Sequence, residues 1–357
     1  MTILHLIRSF GSERLGGAER NIYNLANLIS KKTSETNIVL SDHGIWRYYQ
    51  EKNDFKKEKN VFLKLLYLAL MKNRKINIKN IHVHSNGYYI FLGYFLAIIL
   101  NCRLIIKITR VGEGSLVNRK KEENPTLQFL IKKKLFQYIC KSNNVYIHIL
   151  SKSSLNIVRN FTNKIIVFPN LVKKGSYNSK NKIKDTVVIS SRLIIRKNID
   201  LALDNILNLK NSNMYIYIIG DGPELNRLKN KYKKNKSVIS FLGYLEGEDI
   251  TNFYKKAEYF VSLSKSEGMS NSLIEAMTFG CKCIVSDIME NTYTAGSYAV
   301  YYDKEDDFSY KIKESLKLNP EEISNYANSK YSIDLFNYYK LKELYKIDNS
   351  FTGSGSR

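Results

Sequence analysis

Residues 264–280 read SKSEGMSNSLIEAMTFG, and the punctuation of this stretch decides the fold. An apolar β-like run, Tyr259-Phe260-Val261-Ser262-Leu263, leads into it. The small polar turn Ser266-Glu267-Gly268 ends the run, and a helix follows. Ser270 or Asn271 is its N-cap, Leu273, Ile274 and Met277 are its apolar stripe, and Gly280 stands where a helix favours a left-handed terminal residue. A strand-turn-helix of this kind brings the first backbone N–H groups and the positive helix end to one point, which suits an anion such as phosphate. Two carboxylates flank that point: Glu267 on the turn and Glu275 one turn into the helix. They suit hydroxyl groups rather than phosphate, so the stretch reads as a pocket for a sugar nucleotide.

Outward from this stretch the chain alternates strand-like and helix-like segments. A strand over 3–8 precedes a glycine-containing loop, Gly11 to Gly17, and a helix over 18–31. Gly11 and Gly16 have the spacing of a P-loop start, but Gly17-Ala18 replaces its Lys-Ser/Thr, and no GxGxxG is present. Strands are expected over 81–84, 104–109, 145–150, 186–190, 214–220, 238–241, 283–286 and 298–302. Helices are expected over 125–141, from Ile199, from Pro223 as first helical residue, over 249–257, over 320–329 and over 331–347. Residues 85–102 are uncharged and apolar, nearly long enough to span a bilayer, but strands on both sides make them a helix buried against a sheet.

The 357 residues allow two or three domains with sizeable cores. Cys102, Cys140, Cys281 and Cys283 are too few and scattered for a disulfide framework, and Cys281-Lys282-Cys283 has no second pair for zinc, so a reducing cytoplasm is expected. The opening TILHLIR is too short for a signal peptide and reads as a first strand. Charge is uneven: residues 1–180 carry 31 Lys+Arg against 10 Asp+Glu, and 181–357 carry 25 against 23, net +21 and +2. A polyanionic partner for the first half, such as an anionic membrane surface, a phosphorylated lipid or nucleic acid, would account for this; compositional drift explains abundant lysine but not its confinement to one half. Within that half, residues 52–79 place an apolar run, 61–71, between lysine clusters. It reads either as a helix lying on a membrane or as one packed on the sheet with its lysines solvated.

Glu267 and Glu275, seven residues apart in the setting SEG-x-SNSLIEAM-x-x-G, resemble the EX7E signature of family-4 retaining glycosyltransferases of GT-B fold. Gly16-Gly17-Ala18-Glu19 resembles the family's GGAE element, Pro169-Asn170-Leu171 its PNG-type crossover, and Ser191-Arg192-Leu193 through Lys197-Asn198 its GRL-x-x-x-K-G segment, with Ser191 and Asn198 in place of glycines. Gly220-Asp221-Gly222-Pro223 is typical of the family as well.

The resemblance implies an α/β protein with two Rossmann-like, doubly wound domains facing across a cleft. Residues 1–170 are then the basic acceptor-side domain, 171–330 the nucleotide-sugar domain, and 331–349 a helix crossing back to the first; 350–357 read as a cloning tail. By the same resemblance Glu267, Arg192 and Lys197 are catalytic, the two cations neutralising the leaving diphosphate. Gly16, Gly17, Gly243, Tyr244, Gly268, Met269, Ser270, Asn271 and Glu275 bind the donor, Glu275 at the ribose and Tyr244 at the base. His84 faces the cleft or is a satisfied structural histidine, and the same choice holds for His82. Many relatives carry a histidine where Arg110 stands, which leaves open the group at the reacting centre, with Glu113 a further candidate. The implied donor is a UDP-sugar. The implied acceptor is a glycan or lipid-linked hydroxyl in surface-polysaccharide or glycoprotein glycan assembly at the inner face of the membrane. No cofactor or metal is expected, since no Asp-x-Asp occurs and the basic pair can serve the diphosphate. The rival readings are a same-fold epimerase or phosphorylase, and a nucleic-acid-binding protein; the latter has no need of paired glutamates at a helix start.

Overall fold

A computed structural model describes residues 2–8, 17–32, 35–42, 44–49, 52–56, 77–84, 87–109, 127–209, 214–334 and 338–346. The chain divides into two compact units, Met1–Asn170 with Asn337–Arg357, and Leu171–Phe336.

The first unit holds β1 (Thr2–Leu6), α1 (Gly17–Lys32), β2 (Thr36–Ser41), β3 (Gly44–Tyr49), β4 (Lys52–Lys56), β5 (Ile78–Val83), α2 (Tyr88–Ile99), β6 (Arg103–Ile108), α3 (Leu127–Lys141), β7 (Val145–Ile149), α4 (Leu155–Val158) and β8 (Ile165–Val167). Its sheet runs β4-β3-β2-β1-β5-β6-β7-β8. The six strands from β2 to β8 pair in parallel, and β3 and β4 add an antiparallel ribbon at one edge. The second unit holds β9 (Ile183–Ser190), α5 (Ile199–Leu207), β10 (Tyr215–Ile219), α6 (Leu225–Lys231), β11 (Ile239–Gly243), α7 (Gly247–Lys256), β12 (Ala257–Ser262), α8 (Asn271–Thr278), β13 (Lys282–Ser286), α9 (Met289–Ala295), β14 (Val300–Tyr302), α10 (Phe308–Ser315) and α11 (Pro320–Tyr331). Its sheet is wholly parallel, ordered β11-β10-β9-β12-β13-β14. Both are doubly wound α/β sheets, as the sequence leads one to expect.

The two sheets solve burial differently. In the second unit, successive residues feed apolar cores on opposite faces: Val187 and Ile189 on one, Val188 on the other; Ile284 on one, Cys283 and Val285 on the other. That is the continuous apolar run of a parallel strand covered on both sides. In the first unit the two faces differ in kind. Leu4, Leu6, Ile81, Val83, Leu104, Ile106, Ile147 and Ile149 build an apolar core under α2 and α3. The alternate positions of the same strands carry His5, Asn37, Asn80, His82, Lys107 and His148, all buried.

α1 seals one part of this polar face, with Ile22 and Ala26 against Ile7 and Val39. The last helix, α12 (Tyr338–Tyr345), belongs to the first unit and seals another part. Asn80 Nδ2 donates to the Tyr345 carbonyl at 2.9 Å, and Arg103 Nη1 to the Leu344 carbonyl at 2.9 Å. The sheet thereby satisfies the last carbonyls that a helix leaves open. The expected helix over 331–347 is shorter: Tyr331 closes α11, and Ser332 bridges Val172 beside the backbone bond Val172 N–H to Tyr331 O at 3.0 Å. α6 starts at Leu225 rather than Pro223, which sits in the preceding turn. The start of the basic segment, Lys52–Lys56, is strand β4; the apolar run 61–71 lies outside the described residues. No described helix is long and apolar enough to cross a membrane.

Candidate active site

The stretch 264–280 folds as its punctuation requires. β12 delivers the loop, and Ser270 is the N-cap of α8, its Oγ accepting from the Leu273 N–H at 3.3 Å. Gly280 has φ 68°, and a Cβ there would lie 2.7 Å from the Pro320 carbonyl. The loop between Ser264 and Ser270 packs against the 3₁₀ turn Ile195–Lys197 that follows β9.

Three links hold the two loops together. The Lys265 N–H donates to the Arg196 carbonyl at 2.9 Å, Arg196 Nη1 donates to the Ser266 carbonyl, and Lys197 Nζ donates to Glu267 Oε1. Arg196 Nη1 also lies 3.9 Å from Glu267 Oε2. Glu267 is only 6% exposed. A carboxylate so buried needs a charge partner, and Lys197 with Arg196 supplies one. The turn is completed by Asn198 at φ 53° and ψ 41°, a left-handed conformation that asparagine tolerates better than most residues, so it can stand where the motif this segment resembles has glycine.

Around this centre the neighbouring turns are tight. A Cβ on Gly220 (φ 142°) would lie 1.8 Å from the Ser191 carbonyl, so β9 and β10 exit together only because that side chain is absent. The Gly220 N–H donates to the Gly243 carbonyl at 2.7 Å. Tyr244 Oη donates to Glu246 Oε2 at 2.8 Å. Arg192 is exposed at the end of β9, and Glu275 is half-buried on α8. Glu290, in the first turn of α9, has its carboxyl pushed up by burial, with the charge of Glu267 adding to the rise.

The structure joins Glu267 to Lys197 and places Ser270 as the cap of the helix that follows; sequence reading does not single out Arg196, which lies 3.9 Å from Glu267, or Glu290. Arg196 was readable as the neighbour of the motif lysine. Nothing local marks Glu290, which depends on where β13 ends.

In the first unit Gly17 opens α1, whereas Gly16, Arg110 and Glu113 lie outside the described residues. His84 follows β5 and belongs to a buried set of four histidines. Their proton positions follow from their partners. The Phe168 carbonyl only accepts, so His148 Nε2 donates to it at 2.7 Å. His148 Nδ1 then accepts from His82 Nε2 at 3.1 Å, and His82 Nδ1 from Tyr345 Oη at 2.7 Å. Asn37 Nδ2 donates to Ala26 O and Ser30 Oγ, so its Oδ1 accepts from His5 Nε2 at 3.1 Å. His5 Nδ1 accepts from His84 Nε2 at 3.0 Å. His84 Nδ1 is left as a buried lone pair with no hydrogen-bond partner among the described residues.

Burial keeps all four rings neutral. It lowers His5 to about 4 and His148 to about 3, and holds His82 and His84 well below their usual value. Lys107, buried beside them and donating to Asn170 Oδ1 at 3.0 Å, is lowered to about 8 by the same cause. Nitrogens of His5, His82 and His84 lie within 4.8 Å of one another, close enough to hold a metal ion, but the two on His82 and the two on His5 are already engaged in the hydrogen bonds above. The buried cation Lys107 beside the set also disfavours an ion there.

Residues 173–330 match the family described as "Glycosyl transferases group 1". This match lies within the second unit. Among characterised proteins, the chain is 27% identical over 181 residues to an alpha-monoglucosyldiacylglycerol synthase of Streptococcus pneumoniae, covering 48% of this chain and 41% of that one. It is 24% identical over 310 residues to the capsular polysaccharide biosynthesis glycosyltransferase CapH of Staphylococcus aureus, covering 81% of this chain and 83% of that one. The chain therefore spans less than half the length of the first of these relatives. Among solved structures, the pneumococcal O-GlcNAc transferase GtfA, crystallised with UDP and GlcNAc, superposes with TM-score 0.71 over 97% of this chain and 98% of that one at 11% identity. This likeness establishes the GT-B fold.

Proposed function

We propose that the protein is a retaining glycosyltransferase that moves a sugar from a UDP-sugar to a hydroxyl of a glycan or lipid-linked acceptor in bacterial surface-polysaccharide or glycoprotein glycan assembly. The observation that carries this reading is the pairing of the buried Glu267 with the half-buried Lys197 where the loop into α8 meets the β9 exit, within the residues that match glycosyl transferases group 1. Glu267 fixes the Lys197 ammonium, whose remaining N–H groups face the leaving diphosphate. Arg192, exposed at the same strand end, adds a second cation. Fixed charge of this sign stabilises the phosphate oxygen that gains charge as the glycosidic bond breaks. Glu275 holds the ribose, the backbone from Gly268 to Asn271 holds donor sugar and phosphate, and the Gly243–Tyr244 segment meets the base.

The bond between the anomeric carbon and the β-phosphate oxygen breaks, and the acceptor oxygen bonds to that carbon on the same face. The acceptor proton passes to the leaving phosphate oxygen, giving UDP. No side chain is needed as nucleophile. Three cations beside the diphosphate, Arg192, Arg196 and Lys197, support a reaction without a metal ion. Acceptor binding is assigned to the first unit, with the lone pair of His84 Nδ1 accepting from an acceptor hydroxyl, and Arg110 and Glu113 as further candidates. The enzyme works in the cytoplasm.

The test is donor turnover without acceptor. The protein is incubated in EDTA with UDP-Glc, UDP-Gal, UDP-GlcNAc and UDP-GalNAc separately, and UDP release is followed. Slow release from one donor, lost in Arg192→Ala, is expected. No release from any of them, with no protection against melting by UDP, overturns the reading.

A further inference from the structure

Sixteen large hydrophobic side chains are exposed among the described residues, and seven of them lie on just two helices, α2 and α3. Both helices cover the apolar face of the first sheet, α2 with Tyr89, Ile90, Leu96 and Ala97, and α3 with Phe136, Ile139 and Cys140. They are tied to each other by the hydrogen bond between Tyr94 Oη and Ser142 Oγ at 2.9 Å. Each therefore already has its core stripe, and each carries a second apolar stripe facing away from the core.

On α2, Phe95 is 61% exposed and Ile98 57%, and the helix YYIFLGYFLAII contains no charged residue to solvate that side. On α3, Ile131 (57%), Leu135 (43%) and Tyr138 (66%) recur at i, i+4 and i+7, a single line along the helix. Lys132, Lys134 and Lys141 are exposed beside this line, and α3 contains no acidic residue. A solvated helix face has no use for such a line, and a contiguous exposed apolar surface rimmed by charge marks a contact surface.

The charge selects the occupant. A second copy of this chain would set the α3 lysines against the same lysines, on a half of the chain whose net charge is +21. Nucleic acid would answer the lysines but not the aliphatic stripes. A bilayer surface with anionic headgroups answers both, taking the apolar side chains at the headgroup–acyl boundary and the lysines at the phosphate level. We propose that the outer faces of α2 and α3 form a docking surface for an anionic lipid bilayer, holding the protein on the membrane without crossing it. This surface is separate from the donor site and does not depend on which sugar is transferred.

The test uses the full chain and sedimentation with vesicles of phosphatidylcholine alone or mixed with phosphatidylglycerol. The mixed vesicles are expected to pull the protein down, and salt to weaken the effect. Ile131→Glu/Leu135→Glu/Phe95→Glu should cut binding at least about tenfold, since each change removes apolar contact and adds charge of the repelled sign. Lys132→Gln/Lys134→Gln/Lys141→Gln should also weaken it. All six positions are exposed, so the fold should persist, which thermal melting and UDP protection check independently of lipid. Three results overturn the proposal: no binding to mixed vesicles, binding that survives the apolar triple variant, or a solution dimer that this variant breaks while vesicles bind nothing.

Discussion

Acidification should destabilise the first unit before most carboxylates titrate. His5 and His148 are neutral in the fold because burial lowers them to about 4 and about 3, against an ordinary value of 6.5. The native state therefore binds fewer protons than the unfolded chain between about pH 4 and 6.5, so the contribution of these rings is flat above that window and falls as pH drops through it. At about pH 5, keeping one such ring neutral costs about 2 kcal/mol, or about 4 kcal/mol for these two together. His82 and His84 are shifted the same way and add to the loss. Lys107, lowered to about 8, stays protonated throughout the window and contributes no slope there. Against a typical domain stability of roughly 5–15 kcal/mol, this is a large fraction. Trp46, the single tryptophan, lies on β3 of the same sheet, so its fluorescence reports this unit. Urea titrations at about pH 7, 6 and 5, at constant ionic strength, should show the transition moving steeply to lower urea. An unfolding free energy unchanged from about pH 7 to 5 would refute the neutral buried network.

Tyr345→Phe removes the donor to His82 Nδ1 and should cost the first unit about 1–3 kcal/mol by the same fluorescence titration. Lys197→Met leaves the buried Glu267 with only the more distant Arg196 and should lower the melting temperature and abolish donor turnover; adding Glu267→Gln should restore the melt but not the turnover. If the single and double variants melt alike, the pair is not buried as described. Gly220→Ala sets a methyl against the Ser191 carbonyl and should destabilise the second unit by about 3 kcal/mol or more, measured by calorimetry. Asn198→Gly should melt like the parent, whereas Asn198→Val should cost about 1–2 kcal/mol.

What was legible in the sequence was local. The turn and cap around Ser270 are written in consecutive residues, and the structure returns them at those positions. So are the parallel strands of the second unit, because a strand buried on both faces is a continuous apolar run such as Val187-Val188-Ile189. The failures have physical causes too. β3 and β4 read GIWRYY and KNDFK, with neither strict alternation nor an Asn-Gly turn to announce an edge ribbon. The shortened last helix reflects a backbone bond between Val172 and Tyr331, residues far apart in the chain.

The polar face of the first sheet shows most plainly why the remainder was illegible. Ile81-His82-Val83-His84 announces a strand by alternation, but alternation says only that two faces differ. It left His82 and His84 each as either a cleft-facing or a satisfied structural histidine. In the structure that face is buried, because α12 lies over it and Tyr345 enters the hydrogen-bond chain from the far end of the sequence. A buried polar layer is tolerable only when nearly every group is paired, and among the described residues pairing leaves a single histidine ring nitrogen over, at the carboxyl end of β5. That end is where parallel sheets receive ligands. The same complete pairing that makes three of these histidines structural is what distinguishes His84 as the member with bonding capacity left.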